Sequence, residues 1–321
     1  MFVITGAAGF IGSCLLAHFN ERDIRDIILV DDFTSASKNK NLTDKKFLNF
    51  IDRNEFIDWF DLQYDSVDVI FHIGARTDTT EFNIEIFNKL NLHYSQALWE
   101  RCSRYGIPFI YASSAATYGN GSLGYSDQHT HIPELKPLNP YGQSKQDFDV
   151  WALQQINRPP YWYGLKFFNV YGPNEYHKGR MASVVFHAFN QIKEKGRVSL
   201  FRSHRTDYED GKQLRDFIYV KDVINVLDWL HATKPDSGIY NLGTGTARTF
   251  LDLVQAVFSA TAVNPLIDWV DIPVDIRDTY QYFTEADMSK LRSVGYTDSF
   301  YTLEAGINDY VTNYLSAGKY Y

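Results

Sequence analysis

The sequence predicts an α/β protein: a Rossmann-type, doubly wound parallel sheet with a second, smaller α/β domain for a substrate. Three observations predict it. Short apolar runs alternate with longer amphipathic ones through the first half, the rhythm of βαβ units. Those runs are near-continuous rather than alternating, as strands covered on both faces are. A glycine-rich turn, "TGAAGFIG" (5–12), joins the first run to the first amphipathic stretch.

"FVIT" (2–5), "DIILVDD" (26–32), "FLNFID" (47–52), "VDVIFHIGA" (67–75), "PFIYASS" (108–114) and "YGLKFFNVYG" (163–172) read as strands. "FIGSCLLAHFNE" (10–21) reads as a helix leaving the glycine turn, and "HYSQALWERCSRYG" (93–106) as one closed by Gly106 at its C-terminal cap. After residue 168 the alternation gives way to mixed loops, isolated strands and many aromatics. We therefore expect a dinucleotide-binding domain over 1–168 plus about 214–240. Residues 169–213 and 241–321 would form an interleaved substrate-binding domain.

A chain of 321 residues, 45% hydrophobic and 22% charged, has the composition and length for a large core and two lobes. The net charge of -8 speaks against a nucleic-acid partner and gives nothing to a membrane surface. Cys14 and Cys102 form neither a metal-ligand cluster nor a disulfide framework, so no metal and a reducing cytoplasm are expected. "MFVITG" has no basic stretch before its apolar residues, and no apolar run approaches the roughly 18 residues of a membrane span.

In the glycine turn, Gly6 makes the tight bend, Gly9 lets the backbone approach a pyrophosphate, and Gly12 lets helix and strand pack closely. The following helix N-terminus offers amides and a partial positive charge to phosphates. "VDDF" ends the second strand with Asp31 and Asp32 placed for an adenosine ribose. Such an acid favours NAD, whereas nearby cations accommodate the extra phosphate of NADP. Lys38, Lys40 and Arg53 are near in sequence, Lys40 reading as a solvated surface charge.

"YASSAATYG" (111–119) follows the fifth strand, and "NPYGQSK" (139–145) puts Tyr141 and Lys145 one helical turn apart. A phenol with an ordinary pKa of about 10 is a poor base at neutral pH. A neighbouring ammonium and an oxidised nicotinamide would both lower it. Lys145 supplies the ammonium and would also hold the nicotinamide ribose, while Ser114 aligns the substrate oxygen. Hydride transfer at a carbon bearing a hydroxyl is the chemistry this set supports.

With these motifs, and with "HIGA", "FNVYGP", "RDFIYVKD" and "YNLGTG" in the same order, the chain resembles the extended short-chain dehydrogenase/reductase family of sugar-nucleotide enzymes over nearly its whole length. Dehydratases of that family carry an Asp-Glu pair where this chain has Ala115 and Ala116, so the resemblance implies an epimerase or reductase. "FNVYGPNEYHKGRMASVVFH", "YQYFTEADMSKLRSVGY" (280–296) and "TDTTEFN" (77–83) further resemble the branch that inverts carbon six of an ADP-heptose. That resemblance implies oxidation at carbon six, rotation of the exocyclic aldehyde, and return of the hydride to the opposite face. It assigns the two proton-transfer roles to Tyr141 and Lys178. A lysine accepts a proton near neutral pH only if burial or a cation depresses its pKa, and His177 and Arg180 are the candidate neighbours.

The resemblance also implies cofactor contacts at Phe10, Ile11, Gly74, Ala75, Arg76, Thr77, Asn91, Val170 and Lys178, and NADP rather than NAD through Lys38 and Arg53. Substrate contacts follow at Ser114, Asn169, Arg180, His187, Phe201, Arg215 and Tyr280. Arg215 suits a diphosphate; its alternative is an ion pair with Asp216 or Asp222. Arg180 stands where near relatives carry serine, and 202–217 is longer than usual, so a shifted substrate preference is open. The resemblance implies a homo-oligomer built of five-membered rings, sometimes paired, working in lipopolysaccharide core synthesis. The competing readings are a UDP-hexose 4-epimerase, an NADPH-consuming reductase, and a dinucleotide-sensing scaffold without catalysis.

Overall fold

The computed structural model describes residues 1–79, 81–277 and 280–321. Thr80 of "TDTTEFN" and Thr279, just before Tyr280, lie outside the described residues. Strands β1 (Phe2–Thr5), β2 (Ile27–Asp31), β3 (Asn49–Asp52), β4 (Val69–His72), β5 (Phe109–Ser114) and β6 (Trp162–Phe167) fall where the apolar runs are. With β10 (Gly238–Leu242) they make a seven-stranded sheet ordered β3-β2-β1-β4-β5-β6-β10, every pairing in it parallel. Both faces are covered because successive side chains point oppositely. Ile4, Leu29, Phe71 and Ile110 enter one core cluster, and Val3, Ile28, Ile70 and Phe109 the other.

The run 163–172 is two strands rather than one. After β6 the Phe168 amide closes onto the Leu242 carbonyl at 3.1 Å. The chain then leaves the large sheet, and β7 (Asn169–Tyr171) pairs with β9 (Leu214–Tyr219). A continuous apolar run carries no mark of where sheet membership changes. β11 (Ala247–Thr249) completes that second sheet, and β8 (Val198–Phe201) pairs with β12 (Ile267–Val270). Residues 214–219, expected with the large sheet, pair in the small one, and the large sheet regains the chain at β10.

The helices that matter for the site are α1 (Phe10–Glu21), α2 (Tyr94–Tyr105), α3 (Pro140–Gln154), α4 (Val184–Lys195) and α5 (Val220–Thr233). Helix α2 ends at Gly106 in the left-handed region, φ 69°. Helices α1 and α5 pack together and share a His18–Asp228 contact of 3.0 Å. The second lobe is stapled by Asp216, whose carboxylate accepts from the Thr244 amide and hydroxyl (2.7 Å each) and from the Gly245 (2.9 Å) and Ala286 (3.0 Å) amides. Among the described residues no helix is long and apolar enough to cross a membrane.

Candidate active site

The turn after β1 is held by close backbone contact. Gly6 has φ 67°, and a Cβ there would lie 2.5 Å from the Gly74 Cα; one on Gly12 would lie 2.3 Å from the Gly6 carbonyl oxygen. A larger residue at Gly6 would therefore push the turn off the Gly74 loop, and one at Gly12 would push α1 off the turn. Gly9 caps α1 without any side-chain hydrogen bond, which leaves the first-turn amides for an anion.

Asp31 and Asp32 are both engaged. Asp31 accepts from the Ala8 amide at 2.9 Å, from the Asp32 amide at 2.7 Å, and from the Lys38 ammonium. Asp32 takes the Thr34 amide (3.1 Å) and hydroxyl (2.6 Å) and pairs with Arg53 at 3.1 Å. Those Thr34 bonds, with Arg53 and Lys38, hold its carboxyl below the usual range. Lys40 is exposed, as expected.

A cavity of about 420 Å³ runs from this turn. Of the expected cofactor residues, Gly6, Gly9, Phe10, Ile11, Gly12, Asp31, Lys38, Arg53, Gly74, Ala75, Arg76, Thr77 and Lys178 line it. Asp32, Asn91, Tyr141, Lys145 and Val170 stand outside its wall. Sequence reasoning missed Tyr94, His72 and Met181, and took His177 only as a neighbour of Lys178. The Tyr94 hydroxyl and the Arg53 Nε are buried without hydrogen-bond partners. Orphaned polar atoms, an uncapped helix end and a glycine cradle together fit a dinucleotide.

Asn91 links the cavity wall to the catalytic helix. Its amide side chain donates to the Arg76 carbonyl (3.0 Å) and the Ser144 hydroxyl (2.9 Å), and its Oδ1 accepts from the Arg76 amide (2.8 Å). Helix α3 begins at the Asn139 cap, whose Oδ1 accepts from the Gly142 amide at 2.8 Å, with Pro140 in the first turn. This sets Tyr141 and Lys145 on one face. The buried Lys145 ammonium donates to the Ala112 carbonyl at 2.8 Å, and burial pulls its pKa down to about 8. Burial raises the Tyr141 phenol, Asp149 adding to it, while a hydrogen bond with Ser114 works the other way. The Lys145 ammonium is bonded to a carbonyl of β5, at the same helix face as Tyr141.

Lys178 lies in the short 3₁₀ segment Tyr176–Met181, kinked at Gly179. Its Nζ sits 5.2 Å from the Phe10 ring centroid. Burial lowers its pKa, and Glu175 opposes the shift. The expected neighbouring cation is not the cause. Arg180 is exposed and pairs with Asp78 at 3.7 Å, while His177 is itself pulled down to about 4 by burial, Lys38 and Lys178.

Of the expected substrate residues, Phe201, Arg215 and Tyr280 come together in a separate group, and Asn169, Arg180 and His187 do not join it. The buried Arg215 guanidinium lies 5.5 Å from both the Phe250 and Tyr280 rings and donates to the carbonyls of Leu214 and Gln281. No carboxylate among the described residues pairs with it; Asp216 serves backbone amides, and Asp222 the Tyr301 amide at 3.0 Å. Phe201 packs on Tyr280 at 5.9 Å. Gln281 donates to the Gly119 carbonyl, tying this cluster to the loop after Ser114. His187 Nε2 is 3.4 Å from the Arg180 carbonyl, and Asn169 is exposed on β7. The long segment 202–213 is braced by Arg205, which lies 5.4 Å from the Tyr208 ring and 5.1 Å from that of Tyr282. Among the described residues no acidic, His or Cys group is arranged to hold a metal.

A parallel sheet carrying a dinucleotide cradle beside a Ser-Tyr-Lys set defines a nicotinamide-dependent sugar-nucleotide type of enzyme. The model of the NAD dependent epimerase/dehydratase family matches residues 2–243, and the chain belongs to that family. In particular, it is 49% identical over 320 residues to the ADP-L-glycero-D-manno-heptose-6-epimerase of Nitratidesulfovibrio vulgaris (99% of this chain, 98% of that one). It is 45% identical over 326 residues to the enzyme of the same name from Fusobacterium nucleatum (98% of each). The crystal structure of the Helicobacter pylori ADP-L-glycero-D-manno-heptose-6-epimerase is similar at a TM-score of 0.81 and 30% identity, covering 97% of this chain and 95% of that one.

Proposed function

We propose that the protein interconverts ADP-D-glycero-β-D-manno-heptose and ADP-L-glycero-β-D-manno-heptose by transient oxidation at carbon six. The observation that carries this is Lys178: a half-buried lysine on the cavity wall, over Phe10 in the helix that follows the glycine turn, in a wall that Tyr141 does not line. An exocyclic centre inverted by hydride removal and return needs a proton-transfer group for each face. Bound nicotinamide supplies the hydride acceptor and, on return, the donor. Ser114 orients the reacting oxygen. Tyr141 takes or gives the hydroxyl proton for one epimer and Lys178 for the other, Lys178 being readied by burial. Lys145 holds the ribose, and Arg215, stacked on Tyr280, takes the diphosphate. Ala115 and Ala116 leave elimination without its acid and base.

NADP is the cofactor we propose. Arg53 Nε is buried without a partner, and Lys38 lines the same cavity; a 2′-phosphate would accept from that Nε and lie against Lys38, whose present partner is Asp31. The same reading includes a cytoplasmic homo-oligomer serving lipopolysaccharide core synthesis. The test is to incubate the purified protein, with no added cofactor, with one ADP-heptose epimer and separate the products. A mixture of both epimers is expected. No conversion, even with NADP or NAD added, would overturn the assignment.

A further inference from the structure

We propose that Asn174 and the end of the chain, residues 319–321, are positioning residues for Lys178. They fasten the 172–183 loop to α1, and proton transfer at Lys178 depends on that fastening. The proposal rests on the reading above that Lys178 serves one epimer and Tyr141 the other.

Asn174 is fully buried and in the left-handed region, φ 74°. Its Nδ2 donates to the Ser13 hydroxyl in the first turn of α1 and to the Tyr321 carbonyl, both at 3.0 Å. Its Oδ1 accepts from the Tyr321 amide at 2.9 Å. Both protons of the amide are thus spent, on partners far apart in sequence. Its main-chain carbonyl accepts from the buried Asn41 side chain at 2.9 Å, which also donates to Ala8 in the glycine turn at 3.0 Å. Next door, the Cys14 thiol donates to the Pro173 carbonyl at 3.4 Å.

The chain end adds its own grip. The Tyr176 hydroxyl donates to the Lys319 carbonyl at 2.6 Å, and the Tyr176 ring meets Tyr320 edge-on at 4.9 Å. The Tyr321 hydroxyl donates to Glu21, at the far end of α1, at 2.9 Å. Glu175 closes the loop on itself through the Ser183 amide (2.5 Å) and hydroxyl (2.7 Å). Lys178 is carried between these anchors, over Phe10 of the same helix that Asn174 and Tyr321 hold. Buried amide bonds of this kind have no water to exchange with, so removing them frees the loop rather than rewiring it. A displacement of about 1 Å at a reacting group costs up to about a hundredfold in rate.

Two variants test this: Asn174→Gly, which keeps the left-handed backbone while deleting the side-chain bonds, and deletion of residues 319–321. The rate at which each pure epimer reduces the cofactor in the NADP-loaded variant would be read from reduced-nicotinamide absorbance, with Lys178→Met alongside. Hydrogen exchange would be followed over 175–183. We expect the epimer slowed by Lys178→Met to be slowed about tenfold or more in both variants. The other epimer should react at nearly the unaltered rate, and loop amides should exchange faster. Equal slowing of both epimers, or unchanged exchange and rates, would overturn the positioning role while a selective Lys178→Met keeps the two-group reading. A Lys178→Met variant that slows both epimers alike, or neither, would overturn that reading and the positioning with it.

Discussion

At the residue scale the site runs on burial. Lys145 is drawn down to about 8 and Lys178 is lowered, while Tyr141 is raised, each chiefly through loss of water. For Lys145 the sign follows from linkage. Between about 8 and its ordinary 10.5 the folded chain binds fewer protons than the unfolded one, so stability rises with pH through that window. Below about 8 the burial cost of about 3 kcal/mol is present in full. Lys145→Met is expected to flatten this rise, measured by urea unfolding at about pH 7 and about pH 10, and to abolish activity. An undiminished slope would show that Lys145 does not carry it. The Tyr141 phenol is raised by burial, and its hydrogen bond with Ser114 works against that rise; a bound oxidised nicotinamide would lower it further.

At the scale of elements, the glycine turn and α1 form one part. Because a Cβ on Gly12 would lie 2.3 Å from the Gly6 carbonyl oxygen, Gly12→Ala must move α1 away from the turn. We expect that variant to purify without dinucleotide while keeping its secondary structure, by absorbance of the released cofactor and circular dichroism; retained cofactor would contradict the cradle. These features were legible in the sequence because they are local: three glycines between strand and helix, and Tyr141 and Lys145 within one turn. What was not legible depends on partners far along the chain. Phe168 looks like strand interior until Leu242 takes its amide. Asn41 gives no sign of bridging Ala8 to Asn174, 133 residues on. Asp31 gives no sign in the sequence that Lys38 and the Ala8 amide also bond it.

At the scale of the molecule, the site gathers groups from stretches far apart in the chain. The glycine turn and the Arg76 loop shape the cavity, Asn91 ties that loop to α3, and Gln281 ties the Arg215–Tyr280 cluster to the loop after Ser114. Asp216 fixes the second lobe that carries this cluster. Lys178 comes from the segment between β7 and α4, so its approach to the cavity depends on how the small sheet is seated. In the proposed reaction Tyr141 and Lys178 divide the two faces of one carbon. The most direct measurement takes Tyr141→Phe and Lys178→Met through cofactor reduction by each pure epimer. Both variants are expected to lose epimer conversion by about a hundredfold or more, the worth of a positioned acid–base group, and each is expected still to react with one epimer, opposite in the two. Full conversion by Lys178→Met would contradict it and leave a single-base enzyme.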